Sequence, residues 1–347
     1  MIKLLIKANL SNLNGLSFHR LYVPFSKISD LNEFKCDVYP DLSVLSDAEL
    51  KGYDAVVYQR EIDVHGNSLE LINKYHKLGL KVIFDIDDMW VLPHDHYLYK
   101  VYQQYKIKEQ TEEILKAVDL VITTTKVMAT RISKFNKKVE VIPNCLDLED
   151  PQWQPNKIKS DLTRFGYVAG VFHSKDIGII QQPILKAYRH NLNAGFVLGG
   201  WNNNKDYNFY ETVMSGNNFD MLKYSRVNSL PVHEYGKAYN YTDVSLIPLQ
   251  NNIFTECKSE IKLLEAGAHG NPAIVSNVLP YNMFTKETAI FVDNHDVNGW
   301  FKAIRNLSKD KVLFDEKSKA LTEYTKQHYN INKWSEIRKQ IIKSALV

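Results

Sequence analysis

Residues 255–272 of this 347-residue chain carry the densest chemistry, reading Thr-Glu-Cys-Lys-Ser-Glu-Ile-Lys-Leu-Leu-Glu-Ala-Gly-Ala-His-Gly-Asn-Pro. From Lys258 the pattern is helical, and Lys258, Lys262, Glu265 and His269 fall on one face while Ile261, Leu264 and Ala268 occupy another. A polar stripe on a helix that leads through Gly270 and Pro272 into an apolar strand faces solvent or lines a cleft. The helix start, with unpaired N–H groups and the positive end of the dipole, suits a phosphate, and Lys258 with Ser259 reinforces it. Glu265, two turns on, is in reach of a ribose.

A second cluster is acidic. Lys81-Val82-Ile83-Phe84-Asp85-Ile86-Asp87-Asp88-Met89-Trp90 puts three carboxylates at the end of a strand, where a parallel sheet carries its ligands. Asp87 or Asp88 could orient a hydroxyl or accept its proton, and His94 and His96 just downstream are alternative bases. Capping of a helix by Asp88 and a plain turn for the two histidines are the bland readings. Gly15-Leu16-Ser17-Phe18-His19-Arg20 follows the first strand; Gly15 permits close backbone approach to a ligand, and Arg20 could meet phosphate or acceptor. His19 and Arg60 are grouped with it. His173-Ser174-Lys175-Asp176 follows the first strand of the second half, with Lys175 as a diphosphate ligand and His173 as its orienter.

These residues need a scaffold that gathers strand ends. Residues 4–8, 36–39, 55–58, 81–84, 120–123 and 139–142 read as buried strands, with helices over 68–78, 97–117 and 126–135. The Pro- and Trp-bearing stretch 147–161 interrupts the alternation as a linker. A second series follows, with strands at 165–172, 194–198, 244–248, 273–276 and 289–292 and helices near 176–189, 258–269, 297–307 and 316–328. Residues 332–345 form a last helix, with Trp334, Ile337 and Ile341 as its seam. The expectation is two doubly wound α/β domains, 1–150 and 151–330, with 331–347 packing back on the first.

Bulk properties are those of a globular chain: 44% hydrophobic, 24% charged, net charge +3. Residues 1–150 hold 19 Lys+Arg against 22 Asp+Glu; the totals of 43 and 40 leave 24 against 18 for the rest, so the basic surplus lies in the second half. Three scattered cysteines without a CxxC pair, and no signal-peptide or membrane-spanning run, lead to a cytoplasmic expectation. No GxGxxG follows the first strand, where the loop reads Ser11-Asn12-Leu13-Asn14-Gly15-Leu16, which disfavours a dinucleotide dehydrogenase.

Residues 255–272 resemble the donor-binding signature of family-4-like retaining glycosyltransferases: a Glu, seven residues, a Glu, then Ala and a Gly-x-Pro strand entry. Glu265-Ala266 and Gly270-Asn271-Pro272 match its second half. The first Glu falls at Cys257, so either Glu256 serves from one position away or the chain resembles a branch with a Lys-Ser pair there. Val118-Asp119-Leu120-Val121-Ile122-Thr123 and the Pro143-Asn144-x-x-Asp147 turn resemble the end of the family's acceptor domain, in the family's order. The acidic strand end stands where many relatives carry a His-Asp pair.

The resemblance implies the GT-B fold, two Rossmann-like domains facing across a cleft, and transfer of a hexose or pentose from a nucleoside-diphosphate sugar, UDP-sugar favoured, with retention and without a metal or other cofactor. It assigns donor binding to His173, Lys175, Glu256, Lys258, Ser259, Lys262 and Glu265, with Glu265 bidentate on the ribose. Catalysis falls to Asp87, Asp88 and His94, and the acceptor side to Gly15, His19, Arg20 and Arg60. The expected acceptor is a glycan or cell-surface precursor; a hydroxymethylated base in viral duplex DNA is the runner-up, opposed by the acidic balance of the first half. Rivals are a non-catalytic sugar-nucleotide binder and a haloacid-dehalogenase-type phosphatase, in which Asp85 would be the nucleophile and Asp87 the acid.

Overall fold

The computed structural model describes residues 1–8, 15–30, 32–60, 67–217 and 223–347, so the loop positions Ser11 to Asn14 lie outside the described residues. The chain divides into two compact units. The first comprises Met1–Cys145, Glu256–Ser259 and Ile331–Val347; the second comprises Leu146–Thr255 and Glu260–Asn330.

The first unit is built on six parallel strands: β1 (Ile2–Lys7), β2 (Phe34–Tyr39), β3 (Ala55–Gln59), β4 (Lys81–Ile86), β5 (Leu120–Thr123) and β6 (Val139–Val141), in the order β2-β1-β3-β4-β5-β6. The apolar stretches of the inner strands β1, β3, β4 and β5 follow from burial on both faces, whereas the edge strands β2 and β6 carry Lys35, Asp37 and Glu140; Leu4, Ile6, Val57, Ile83 and Ile122 form the core on one side. The order reverses between β1 and β3, so the crevice of this sheet lies at the carboxyl ends of these two strands. Arg60, the first residue after β3, sits there.

Residues 97–117 are not one helix. Lys106 adopts a left-handed conformation (φ 49°), which no α-helix interior tolerates, and separates helices Tyr99–Gln104 and Ile107–Ala117. The C-terminal helix, Ile331–Leu346, buries Ile331, Ser335, Arg338 and Ile342 in the first unit. That face is rotated from the expected seam, leaving Trp334 and Ile341 partly buried at its flank. Arg338 lies on this buried face, its guanidinium over the Phe25 ring, 5.1 Å from the centroid.

The second sheet has strands β7 (Thr163–Val168), β8 (Ala194–Trp201), β9 (Tyr224–Asn228), β10 (Val244–Ile247), β11 (Ala273–Ser276) and β12 (Ile290–Val292), all parallel, in the order β12-β11-β10-β7-β8-β9. Its reversal falls between β7 and β10. The edge strand β9 and the helix Asp206–Ser215 escape the sequence reading because Tyr-Ser-Arg-Val-Asn is half-polar, as an exposed edge requires. The stretch 176–189 is two helices, Ser174–Gly178 and Gln181–Arg189, with Pro183 in the first turn of the second, where a missing N–H costs nothing.

Residues 147–161 are not a loose linker. Gln152 and Trp153 are buried in the second unit, where Gln152 accepts from Gly236 N and, through its carbonyl, from His269 Nε2 at 3.0 Å. Among the described residues, no helix is long and apolar enough to cross a membrane.

Candidate active site

Of the three carboxylates at this strand end, only Asp85 lies within β4. Asp85 points into the sheet's own packing, 0% exposed, and both its oxygens are held by Arg20 at 2.9 and 2.7 Å. Arg20, itself 1% exposed, also donates to Ile142 O (2.8 Å) and Asn144 Oδ1 (3.3 Å). This is a satisfied buried ion pair. Arg20 is thereby unavailable to phosphate or acceptor, and Asp85 is no candidate nucleophile for phosphatase chemistry.

Asp87 and Asp88 lie just past the strand. Arg60 reaches both, Nε to Asp87 Oδ1 at 2.8 Å and Nη2 to Asp88 Oδ2 at 2.5 Å, and Lys258 Nζ adds 3.3 Å to Asp88 Oδ1. Arg60 holds φ at 55°, a costly left-handed conformation for an arginine. Burial pushes the Asp87 carboxyl above its ordinary range against the pull of Arg60. Burial acts on Asp88 too, but Lys258 and Arg60 together outweigh it and hold that carboxyl well below the usual range. Two adjacent carboxyls are thus driven apart in acidity, the pattern by which one site obtains a base and a permanent anion.

Lys258 belongs to the four residues, Glu256–Ser259, that join the first unit. Lys258 and Ser259 do not lie on a helix: they follow the 3-10 turn Thr255–Cys257, and the α-helix begins only at Ile261, so the expected Lys258–Lys262–Glu265–His269 stripe loses its first member. Instead Glu256–Ser259 form a strap pinned by side chains. Glu256 pairs with Arg131 Nη2 at 2.8 Å, Lys258 with Asp88, and Ser259 Oγ accepts from Asn144 Nδ2 at 2.6 Å. Asn144 connects this strap to the buried Arg20–Asp85 pair. The sequence marks Asn144 only as a turn, and nothing in it reports Arg131.

In the second unit, Glu265 is 4% exposed on the helix Ile261–Ala268, and its Oε2 accepts from Tyr239 OH at 2.7 Å and Tyr235 OH at 3.5 Å. Burial raises its pKa, opposed by Lys262 and the two tyrosines. These tyrosines precede Glu265 by 30 and 26 residues, so no local motif announces them. Lys262 donates to Val168 O at 2.7 Å, at the carboxyl end of β7, and His269 is buried rather than facing a ligand. Gly267 explains the small-residue run Ala-Gly-Ala: a Cβ there would lie 2.9 Å from Leu321 O of the helix Lys311–His328.

The loop after β7 carries His173 and Lys175. His173 Nδ1 meets Asp176 Oδ2 at 2.9 Å, and Asp176 Oδ1 accepts from Gln250 N at 2.8 Å, which ties the loops after β7 and β10 together at the reversal of strand order. Lys175 is exposed at the start of the short helix Ser174–Gly178. The remaining acceptor-side candidates are dispersed. Gly15 is exposed at the start of a short helix, His19 is half-buried against Phe18, and His94 is exposed with its ring 4.6 Å from that of Tyr99.

By sequence, no family profile and no curated protein matches the chain. By structure it is similar to sucrose-phosphate synthase from Thermosynechococcus elongatus, with a TM-score of 0.70 and 15% identity over 99% of each chain. HepE from Anabaena, solved with UDP and glucose, gives 0.69 and 10% identity over 99% of this chain and 100% of its own. A glycosyltransferase from Rickettsia africae gives 0.68 and 12% over 99% and 98%. At such identities the likeness establishes the fold, which is GT-B: two Rossmann-like α/β units, each on a six-stranded parallel sheet.

Proposed function

We propose that this chain is a retaining glycosyltransferase that moves a sugar from a UDP-sugar to a hydroxyl of a glycan acceptor in the cytoplasm. The observation that carries the reading is the Asp87–Asp88 pair at the end of β4, bridged by Arg60 and met by Lys258. Its support is the fold, together with the UDP and glucose bound by the structurally similar HepE.

In this reading the acceptor oxygen bonds to the anomeric carbon on the same face from which the bond to the diphosphate breaks, so the configuration is retained. The acceptor proton passes to Asp87, the carboxyl that burial makes the more basic of the two. Asp88 stays ionised and orients Arg60 and Lys258. Negative charge gathers on the departing diphosphate, where Lys258, with the hydroxyl of Ser259, stabilises it electrostatically. Glu265, its carboxylate oriented by Tyr239, binds the ribose hydroxyls.

Incubation with a panel of nucleotide sugars, given glycan acceptors in one arm and hydroxymethyl-base duplex DNA in another, tests the reading by mass spectrometry. A hexose or pentose on a glycan is the expected product. Sugar on the DNA alone replaces the acceptor class, and UDP binding without transfer in any arm reduces the protein to a sugar-nucleotide binder.

A further inference from the structure

The second unit contains a cavity of about 500 Å³ that the reading above does not use. Thr163, the first residue of β7, Asp243, just before β10, and Gly270, on the way into β11, all line it. It therefore lies at the amino ends of the parallel strands, opposite the carboxyl ends where the crevice between β7 and β10 opens. Its volume is that of pockets that take a metabolite.

The cavity holds a fixed cation. Lys157 lines it, and the three N–H groups of its ammonium are committed to Tyr239 O at 2.9 Å, Thr242 O at 2.7 Å and Asn271 Oδ1. None of these acceptors is charged. The carboxylate that acts on Lys157, Asp243, is itself gripped by Arg164 Nε and Nη2 at 3.0 and 2.8 Å. The ammonium is thus hydrogen-bonded without a counter-ion of its own, and burial pulls its pKa down to about 7. A cation in that position is stabilised by an anion arriving from outside. His269, 1% exposed, lines the same cavity: its Nε2 is taken by Gln152 O, whereas its buried Nδ1 has no hydrogen-bond partner among the described residues.

The rest of the lining selects the anion. Lys309 adds an exposed ammonium with no ion pair among the described residues, whereas Lys311 is already held by Asp315 Oδ1 at 2.6 Å. Two such charges suit the dianion of a phosphate monoester better than a single carboxylate. A zwitterion would bring its own cation among them. Asp161 accepts hydrogen bonds from hydroxyls, and Leu162, Leu307 and Phe314 offer apolar surface to the C–H faces of a small ring.

We propose that this cavity is a second ligand site, separate from the donor crevice, that takes a phosphorylated monosaccharide, with the phosphate drawn to Lys157 and Lys309 and the hydroxyls to Asp161. It stands whether or not the chain transfers sugar.

Calorimetric titration of the full chain with glucose 6-phosphate and with glucose 1-phosphate, against glucose, inorganic phosphate and AMP as controls, tests it. At least one of the two esters is expected to bind with a dissociation constant below about 1 mM and at least about tenfold more tightly than any control. Lys309→Glu, a change at an exposed position, should weaken that binding by about tenfold or more, and Lys157→Met, with its melting temperature checked, should do the same. Lys258→Ala, in the first unit, should leave it unchanged. The site is refuted if neither ester binds, if inorganic phosphate or AMP binds as tightly, or if Lys309→Glu binds like the wild type. Weakening by Lys258→Ala would likewise refute it, by tracing the ester to the donor side. UDP binding and transfer are read separately, so their absence overturns the glycosyltransferase reading and leaves this measurement standing.

Discussion

Lys258 Nζ lies 3.3 Å from Asp88 Oδ1 although 170 residues separate them in the chain. Glu256 and Ser259, on either side, hold the strap so that the ammonium stays at the acidic pair. If this lysine serves the donor diphosphate, Lys258→Ala removes a charged hydrogen-bonding partner and raises the dissociation constant for UDP by roughly 10- to 150-fold, from about 1.5–3 kcal/mol. Glu265→Ala is expected to do likewise through the ribose. Calorimetric titration with unchanged affinity in both variants contradicts the donor assignment.

Arg20 and Asp85 make a different prediction, about stability. Truncating Arg20 to alanine leaves the Asp85 carboxylate buried without its cation, at a cost of about 3–5 kcal/mol. Replacing both, Arg20→Met with Asp85→Leu, should recover most of that loss. Urea unfolding of the two variants separates them, and equal midpoints would show that the pair is not a coupled unit.

Close packing of Gly267 against the helix Lys311–His328 predicts that Gly267→Ala destabilises the second unit by about 1–3 kcal/mol, despite alanine's higher helix propensity. The added methyl meets backbone at Leu321 and cannot be accommodated by a side-chain rotation. A raised melting temperature in a thermal scan would refute the contact.

The buried His269 gives the second unit a pH dependence. Burial lowers its pKa first, helped by the nearby Lys157 ammonium, from 6.5 to about 4, against the hydrogen bond to Gln152 O. Between those values the unfolded chain binds the proton and the folded one does not. Stability is therefore full above pH 6.5 and falls as pH drops toward 4, by up to about 3 kcal/mol. Lys157, lowered from 10.5 to about 7 by burial, acts in the same sense only above neutrality, so it does not blur this window. In His269→Gln, denaturant midpoints between pH 4 and 6.5 should lose most of their slope.

Strands such as Leu120–Thr123 and Ala273–Ser276 were legible because their β-branched runs are long enough and buried on both faces. The acidic end of β4 and the Glu265 helix were legible for the same reason: strand and helix each fix their own residues locally. What the sequence hid is partnership across distance. Arg60 meets Asp87 27 residues on, Asn144 meets Ser259 across 115, and Tyr239 caps Glu265 across 26. Arg20 is illegible for that reason, since an arginine after a first strand looks the same whether it faces a ligand or a buried aspartate. Periodicity extends the helix to Lys258, and the strap's tertiary contacts override it.

The allocation of residues to the two units has a consequence for biosynthesis. Ile331–Leu346 supplies Ile342 and Arg338 to the interior of the sheet whose strands end at Val141, yet the ribosome makes Leu146–Asn330 in between. At about 5–20 residues per second that interval is roughly 10 to 40 s. The first unit must spend it with the Phe25 side of its core uncovered, whereas the second has all of its own residues as soon as Asn330 emerges. The half synthesised first is the half completed last, and its exposed flank is where a nascent chain of this protein most needs shielding from aggregation.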